Sequence, residues 1–286
     1  MRGWLFGVAS VVLFSTFTLV SRLGVSSSLA IWDLAALRFG ISATLLLPVL
    51  LRRGLAPARL RDAAKLALFG GFGFALLAYA GFALAPAAHG AALLHGTLPL
   101  TTLAIMSFTR GHGDVRQRRA SILVVATGVA LMVYDSFVTA SRRQLAGDGL
   151  LVLASFAWSA YGICARRLGL RPLHGVAIVA VFSACAYLPA YGVLRNEALL
   201  SIDARDVLLQ AGVQGVLIGA VSILVYTRAL AALGPTTTAL FTASVPCVTT
   251  VGGALLLHER PSIGAVLGVV VITLGMLVAV WPRRSA

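Results

Sequence analysis

The feature that most constrains this chain is a series of ten apolar stretches, each long enough to cross a lipid bilayer. A helix needs about 20 mostly apolar residues to span the hydrocarbon core. Because lipid cannot satisfy unpaired backbone groups and the stretches lack the alternation of barrel strands, the sequence predicts an all-α integral membrane protein with ten transmembrane helices. The stretches lie at roughly 3–24, 31–51, 63–84, 87–109, 119–138, 147–168, 173–194, 206–233, 236–257 and 262–281.

Composition excludes the soluble alternatives. Hydrophobic residues make up 59% of the 286 residues and charged residues only 11%, whereas soluble domains carry about 25% charged residues. A soluble enzyme of this composition would expose large apolar patches, which soluble proteins avoid. The net charge of +14 is typical of nucleic-acid binding, but the basic residues lie mainly between the apolar stretches. We therefore expect the lipid bilayer, and no nucleic acid, as the partner.

The distribution of basic residues predicts the orientation of the chain. Connections rich in arginine and lysine stay on the cytoplasmic side. They follow the second, fourth and sixth stretches, and the C-terminus is also basic, so we expect both termini to be cytoplasmic. The residues concerned are Arg52, Arg53, Arg59, Arg61, Lys65, Arg110, Arg116, Arg118, Arg119, Arg166, Arg167, Arg171, Arg283 and Arg284.

An internal repeat divides the chain into two halves, 1–140 and 141–286. Residues 99–134 align without gaps on residues 246–281. Because each half holds five spans, the second half inserts in the opposite orientation, so we predict a five-plus-five inverted-topology repeat within a single membrane domain. Such repeats are typical of secondary transporters that alternate access around a central site. The matched pairs are Pro99 and Pro246, Thr102 and Thr249, Gly128 and Gly275, Tyr134 and Trp281, Phe14 and Trp158, Arg22 and Arg166, Pro48 and Pro189, and Tyr79 and Tyr226.

Several short motifs stand out along the chain. They are Arg38-Phe39, Trp158-Ser159-Ala160-Tyr161, Pro246 with His258-Glu259-Arg260-Pro261, and Gly264, Gly268 and Gly275. Together they resemble a known family, the EamA-type members of the drug/metabolite transporter superfamily, over the full length of the chain. The first half departs from the pattern, because Gly111-His112-Gly113-Asp114 stands where the family's glutamate would align. The resemblance implies a ten-helix carrier of small metabolites in the inner (plasma) membrane, and export of amino acids, aromatic or other neutral ones above all.

Polar and aromatic side chains inside the spans are the candidate substrate-binding residues. His95 stands four residues before Pro99 and seven before Thr102, which predicts one shared helical face. Ionisable residues at membrane depth commonly mark a substrate path, although a histidine satisfied within the core is the alternative. Aromatic residues can stack on a substrate or hold an ammonium group, or they simply pack. The candidates are His95, Trp158, Tyr161, Tyr79, Thr102, Thr242, Ser244, Phe14 and Gln214.

Other intramembrane residues leave alternatives open. Arg38 lies deep in the second span, where it can pair with Asp33 or bind a substrate carboxylate. Gln210 and Gln214 share a face of the eighth span, where they can form hydrogen bonds between helices or line the substrate cavity. Four prolines, which remove backbone hydrogen bonds, are the predicted hinges: Pro48, Pro99, Pro189 and Pro246.

The glycine face of the last span, formed by Gly264, Gly268 and Gly275, permits close helix packing. It could serve the fifth span or a second subunit, so the chain can be a monomer or a homodimer.

The sequence carries no phosphate-binding loop of the Gly-x-x-x-x-Gly-Lys-Ser/Thr type, so transport would be secondary. The histidines are scattered, no Gly-x-Ser-x-Gly elbow is present, and the three cysteines lack metal-ligand spacing. We therefore expect no enzyme, metal or cofactor. A carrier of drugs or nucleosides is the alternative within the superfamily, and an intramembrane enzyme or a channel is the alternative outside it.

Overall fold

The computed structural model describes residues 2–26, 29–110, 119–138, 142–194, 203–242 and 244–280. Within these ranges all regular secondary structure is helical, as hydropathy predicts for a chain that must satisfy its backbone in lipid. Two segments, Ala92–Gly96 and Ala211–Val221, are π-helical. The α-helices are α1 Arg2–Ser26, α2 Ile31–Arg53, α3 Leu60–Gly70, α4 Phe72–Leu84, α5 Ala87–Ala91, α6 Leu98–Arg110, α7 Arg119–Val138, α8 Arg142–Arg167, α9 Pro172–Leu194, α10 Ala204–Gln210, α11 Ser222–Thr242, α12 Val245–Leu256 and α13 Ile263–Val280.

Six helical segments of the described chain are long and apolar enough to cross a membrane, and shorter apolar helices accompany them. The all-helical membrane architecture is thereby confirmed, while the count of ten spans remains a prediction. The spanning segments are Gly3–Ser26, Ile31–Arg53, Leu60–Leu84, Arg142–Arg167, Pro172–Leu194 and Ala204–Leu233, and the shorter ones are Ile122–Met132, Val245–Leu256 and Ile263–Val278.

The third predicted span is broken in the middle, between α3 and α4. A side chain on Gly71 would overlap the Ser183 hydroxyl and the Ala67 carbonyl. Ser183, on α9, bridges the break: the Phe72 N–H donates to its Oγ over 3.3 Å, and its hydroxyl donates to the Ala67 carbonyl over 3.4 Å. The serine therefore supplies the partners that a continuous helix would have supplied itself.

The fourth predicted span is interrupted between α5 and α6, and the ninth begins late, at Val245. Thr97 lies at the first interruption with φ −84° and ψ −7°, and Ser244 lies at the second with φ −83° and ψ −10°. Each residue stands two positions before a proline, Pro99 or Pro246, whose missing N–H is best tolerated in the first turn of a helix.

The boundary expected between the eighth and ninth spans, at residues 234–235, is placed differently by the structure. Helix α11 runs from Ser222 to Thr242, across that boundary, and α12 begins only at Val245. The proline that starts a helix here is Pro246, in the first turn of α12, where its missing N–H breaks no helical hydrogen bond. The predicted short connection at 234–235 is therefore wrong, although the segment is helical as expected.

The glycine face of α13 packs against α7. A side chain on Gly264 would meet Asp135, one on Gly268 would meet Met132, and one on Gly275 would meet Val125. Close approach of two helices requires such small residues. The sequence left two possible partners for this face, the fifth span or a second subunit. In the structure the face packs on α7, the fifth predicted span of the same chain.

The bundle buries several large aromatic side chains, and most of its exposed large apolar side chains are aliphatic. Phe17, Tyr79 and Phe82 are buried at the centre. Leu51 is 75% exposed and Ile263 is 81% exposed. A soluble protein would avoid so apolar a surface, so this distribution fits a bundle whose surroundings are lipid.

The close packing at the Gly71 break leads us to a prediction about stability. Gly71→Ala places a methyl group where the Ser183 hydroxyl and the Ala67 carbonyl lie, so we expect a loss of about 1–3 kcal/mol through overpacking. Thermal unfolding of the purified protein in detergent measures the effect. Gly162→Ala is the matched control, because a side chain there meets nothing within 4 Å; equal melting temperatures for the two variants would contradict the prediction.

Candidate functional site

His95 lies on the π-helical segment Ala92–Gly96, between α5 and α6. The segment precedes Pro99, which cannot donate a hydrogen bond to the carbonyl four residues earlier, and π-helical turns commonly mark functional positions. The His95 ring stacks on Phe14, with centroids 5.7 Å apart and an interplanar angle of 16°. Phe14 in turn contacts Tyr226 at 5.6 Å. Helix α1 thus contacts this histidine through Phe14, and α11 contacts Phe14 in turn. The Nε2 atom of His95 has no hydrogen-bond partner among the described residues.

The aromatic residues of α8 form a second group beside the first. Trp158 lies 4.7 Å from Phe74 and 5.1 Å from Tyr161, measured between ring centroids. Tyr161 packs over Gly70, where any side chain would overlap its ring. The predicted pair Trp158 and Tyr161 is therefore brought together, and both side chains keep part of their surface exposed.

Tyr79 belongs to a buried hydrogen-bonded chain. Its hydroxyl donates to Gln214 Oε1 over 3.1 Å, and Gln214 Nε2 donates to Ser21 Oγ over 2.8 Å. One turn earlier, Gln210 Nε2 donates to the Val20 carbonyl over 2.8 Å. Of the two roles left open for these glutamines, the structure shows bonds between helices.

Thr101 and Thr102, on α6, bond through their hydroxyl groups to α8 and not to His95. Thr102 Oγ1 donates to Ser159 Oγ over 3.0 Å, and Thr101, which the sequence reasoning did not single out, lies 2.7 Å from the same oxygen. The prediction of one face shared by His95, Pro99 and Thr102 assumed a continuous helix, and the π-helical segment interrupts that helix.

The candidate residues of the second half lie around the interruption between α11 and α12. Thr242 ends α11, and the Ser244 hydroxyl donates to the Phe241 carbonyl over 2.6 Å. Thr249 on α12 is buried and its Oγ1 has no partner within the described chain.

The four predicted hinge prolines differ in position. Pro99 and Pro246 stand in the first turns of α6 and α12, after the interruptions. Pro48 and Pro189 lie inside α2 and α9, which continue through them. These last two helices pack along each other.

Two charged groups from distant parts of the chain meet at one end of the bundle. Arg22 pairs with Glu259 (Nε to Oε1, 2.9 Å) and also donates to the Phe82 carbonyl over 2.6 Å. The other carboxylate oxygen of Glu259 accepts from the Ala87 N–H over 2.8 Å. Glu259 was noted only as part of a junction motif; its partner, Arg22, is 237 positions away in the chain.

A second polar pair lies on α5 and α8. His89 Nδ1 lies 2.9 Å from Asp148 Oδ1, and its Nε2 lies 3.8 Å from Asp135 Oδ2. His89 and Asp148 are almost fully buried. These groups hold α5, α7 and α8 together and, within the described ranges, do not form a metal-binding cluster.

The comparisons agree with this architecture. Residues 145–281 match the EamA-like transporter family. The crystal structure of another protein matches this chain with a TM-score of 0.64 and 19% sequence identity, over 97% of this chain and 96% of the other. The comparison with curated proteins finds no match. At this identity the solved structure shows a shared fold alone. The chain is a multi-pass membrane protein whose second half matches the EamA-like transporter family.

A further prediction about stability concerns the Arg22–Glu259 pair. Glu259→Gln keeps an oxygen that can accept from the Ala87 N–H but removes the charge facing Arg22, so we expect a loss of about 1–2 kcal/mol. Thermal unfolding in detergent checks it, with the exposed neighbour Arg260→Ala as control. A Glu259→Gln variant as stable as Arg260→Ala would show that the pair contributes nothing.

Proposed function

We propose that this chain is a secondary transporter of the drug/metabolite transporter superfamily, EamA type, that exports small metabolites, most of all neutral or aromatic amino acids, by alternating access. The observation that carries the proposal is a group of buried polar atoms without partners in the described part of the bundle. They are Ser15 Oγ, Thr18 Oγ1, Arg38 Nη1, His95 Nε2 and Thr249 Oγ1.

An unsatisfied buried polar group costs about 1–3 kcal/mol, and lipid offers it no partner. Three of the five atoms belong to the first two helices, inside segments that are long enough to span a membrane. Polar groups retained there at such a cost are expected to serve a substrate path. The match of the second half to a transporter family supports the same conclusion.

The proposed five-plus-five inverted repeat, 1–140 and 141–286, is supported by paired features. Thr97 and Ser244, equivalent in the repeat, share nearly the same backbone conformation. A side chain on Gly128 would meet Ile272, and one on its counterpart Gly275 would meet Val125, which is the counterpart of Ile272. The packing of α1 along α11 is likewise matched by that of α8 along α4. A pseudo-twofold axis in the membrane plane accounts for these pairs.

The aromatic groups suit the apolar part of an amino acid. Trp158 and Tyr161 form one wall, Phe14 and Tyr226 with His95 form another, and all five side chains keep part of their surface exposed. Such a lining, mostly apolar with a few polar atoms, is typical of small-molecule sites. Thr102, Thr242, Ser244, Tyr79 and Gln214 complete the proposed set.

Alternating access would arise from rocking of the two halves, with Pro99, Pro246, Pro48 and Pro189 as the hinges. We place the protein in the inner membrane with both termini cytoplasmic, on the positive-inside rule, and assign it no cofactor. It acts as a monomer or a homodimer.

The substrate site is tested by flux. Proteoliposomes loaded with labelled neutral amino acids should show saturable counterflow, and His95→Ala or Trp158→Ala should reduce it about tenfold, since a lost stacking or cation–π contact is worth about 0.5–2 kcal/mol. Phe156→Ala is the control, because this aromatic residue lies on the same helix and is 38% exposed. Unchanged flux in both site variants would refute the site, and flux without saturation would favour a channel.

Rocking is tested by a disulfide between the halves. Thr101 Oγ1 and Ser159 Oγ lie 2.7 Å apart, close to the sulfur separation of about 2.05 Å in a disulfide. With Cys164, Cys185 and Cys247 replaced by alanine, a Thr101→Cys/Ser159→Cys double variant should lose flux on oxidation and regain it on reduction. Each single variant should transport regardless of redox state. Full transport by the cross-linked protein would rule out rocking at this contact.

A further inference from the structure

Arg38 has an unusual environment for a charged side chain. It lies on α2, about two turns from its start, and is only 6% exposed. Within the described residues no carboxylate pairs with it. Asp33, the acid nearest in sequence, caps α2 through the Ala30 N–H at 2.8 Å and accepts from the Tyr191 hydroxyl at 2.8 Å. The expected pairing of Arg38 with Asp33 is therefore not found.

Aromatic rings hold the guanidinium in place. Its central carbon lies 5.3 Å from the ring centre of Phe17, 5.8 Å from that of Phe39 and 5.9 Å from that of Phe74. Cation–π contacts orient a guanidinium but do not neutralise its charge. The group also faces the Tyr79 hydroxyl, whose proton is donated to Gln214.

The guanidinium therefore has more donors than the protein satisfies. Arginine carries five N–H donors in a flat fork that matches a carboxylate, and Nη1 has no acceptor in the described part of the structure. A buried cation without a counter-ion is costly, and an apolar side chain of similar size would pack there at no such cost. A purely structural role does not explain why an arginine occupies this position.

Arg38 adjoins the groups assigned above to the substrate. Phe17, under the guanidinium, lies one turn of α1 from Phe14, which stacks on His95, so the two phenylalanines that contact these polar groups are offset by about 4.5 Å along that helix. Phe74, also under the guanidinium, contacts Trp158. A small molecule with one anionic end and an apolar body fits this arrangement.

We propose that Arg38 binds the carboxylate of the transported molecule, so that the substrates of this chain are carboxylates. The inference rests on the proposed transport function and narrows its substrate class. It separates amino acids and other organic acids from uncharged drugs and nucleosides, which offer the guanidinium no counter-charge.

The test compares acids with their amides. Neutral L-amino acids, including phenylalanine and leucine, and their carboxamides are added to the purified full-length protein, and their protection against thermal unfolding is titrated. We expect the acids to bind at least about tenfold more tightly than the amides, since a charge-assisted bidentate bond is lost. Equal binding of acids and amides by the wild-type protein would overturn the inference without any variant.

The variants assign the preference to Arg38. Arg38→Met should abolish the preference for acids, whereas Arg38→Lys, which keeps the charge without the fork, should weaken acid binding and retain the preference. Arg228→Met is the control, since Arg228 also lies over a ring, that of Phe6 at 5.9 Å, but is exposed. Retention of the full preference by Arg38→Met would overturn the inference. If Arg38→Met does not fold, Arg38→Lys and the wild-type comparison decide.

Further probes separate this inference from the proposed function. Binding of benzoate that requires Arg38, with no binding of amino acids, would support the anion site and refute amino-acid transport. Counterflow of an uncharged nucleoside by wild type and Arg38→Met alike would refute the anion site and leave the carrier intact. Absence of binding by every probe would contradict both.

Discussion

Polar bonds between the first and second halves of the chain are the interactions on which this structure depends. In a membrane the apolar surfaces of helices gain little by leaving lipid, so packing and hydrogen bonds must specify which helices meet. Here Tyr79 bonds to Gln214, Thr101 to Ser159, and His89 to Asp148. Each bond joins a residue before position 141 to one after it. The interface between the halves thus combines these polar contacts with the close packing of α7 and α13, which meet through glycines.

The same polar contacts place the candidate site. Near its C-terminal end, helix α1 is held by Arg22, which pairs with Glu259, and by Ser21, which accepts a hydrogen bond from Gln214. Phe14 and Phe17 of this helix contact His95 and Arg38. The π-helical segment carries the His95 that stacks on Phe14, and Arg38 lies over Phe17, one turn further along α1. Polar groups that have hydrogen-bond partners in the protein therefore lie near a few polar groups that have none within the described residues. Such an arrangement is expected of a site that binds a substrate.

Sequence reasoning predicted the helical membrane architecture, because hydropathy and local spacing report on single helices. The apolar stretches predicted the helical membrane fold. The proposed repeat matched Phe14 to Trp158 and Tyr226 to Tyr79, but it did not predict that Phe14 and Tyr226 would contact each other. Trp158 and Tyr161, three residues apart, meet because one helix carries them both.

The contacts that sequence reasoning missed all depend on register between distant helices. The partner of Glu259 is 237 positions away and that of His89 is 59 positions away, and neither periodicity nor composition encodes such distances. Three glycines at positions 70, 71 and 73 favour an interruption there, but the residue that compensates for it, Ser183, lies on another helix and could not be predicted from the local sequence.

The bridge from Ser183 to the break at Gly71 has a consequence for the order in which the protein can be assembled. Membrane helices enter the bilayer as the ribosome makes them, and the broken third span enters long before residue 183 exists. Until α9 arrives, the Phe72 N–H and the Ala67 carbonyl lack the partner they have in the finished protein. In hydrocarbon such groups are costly, so the third span must wait beside water, a chaperone or the translocation machinery, or form a temporary continuous helix. The third span thus reaches its final geometry only after α9, in the second half, has been synthesised.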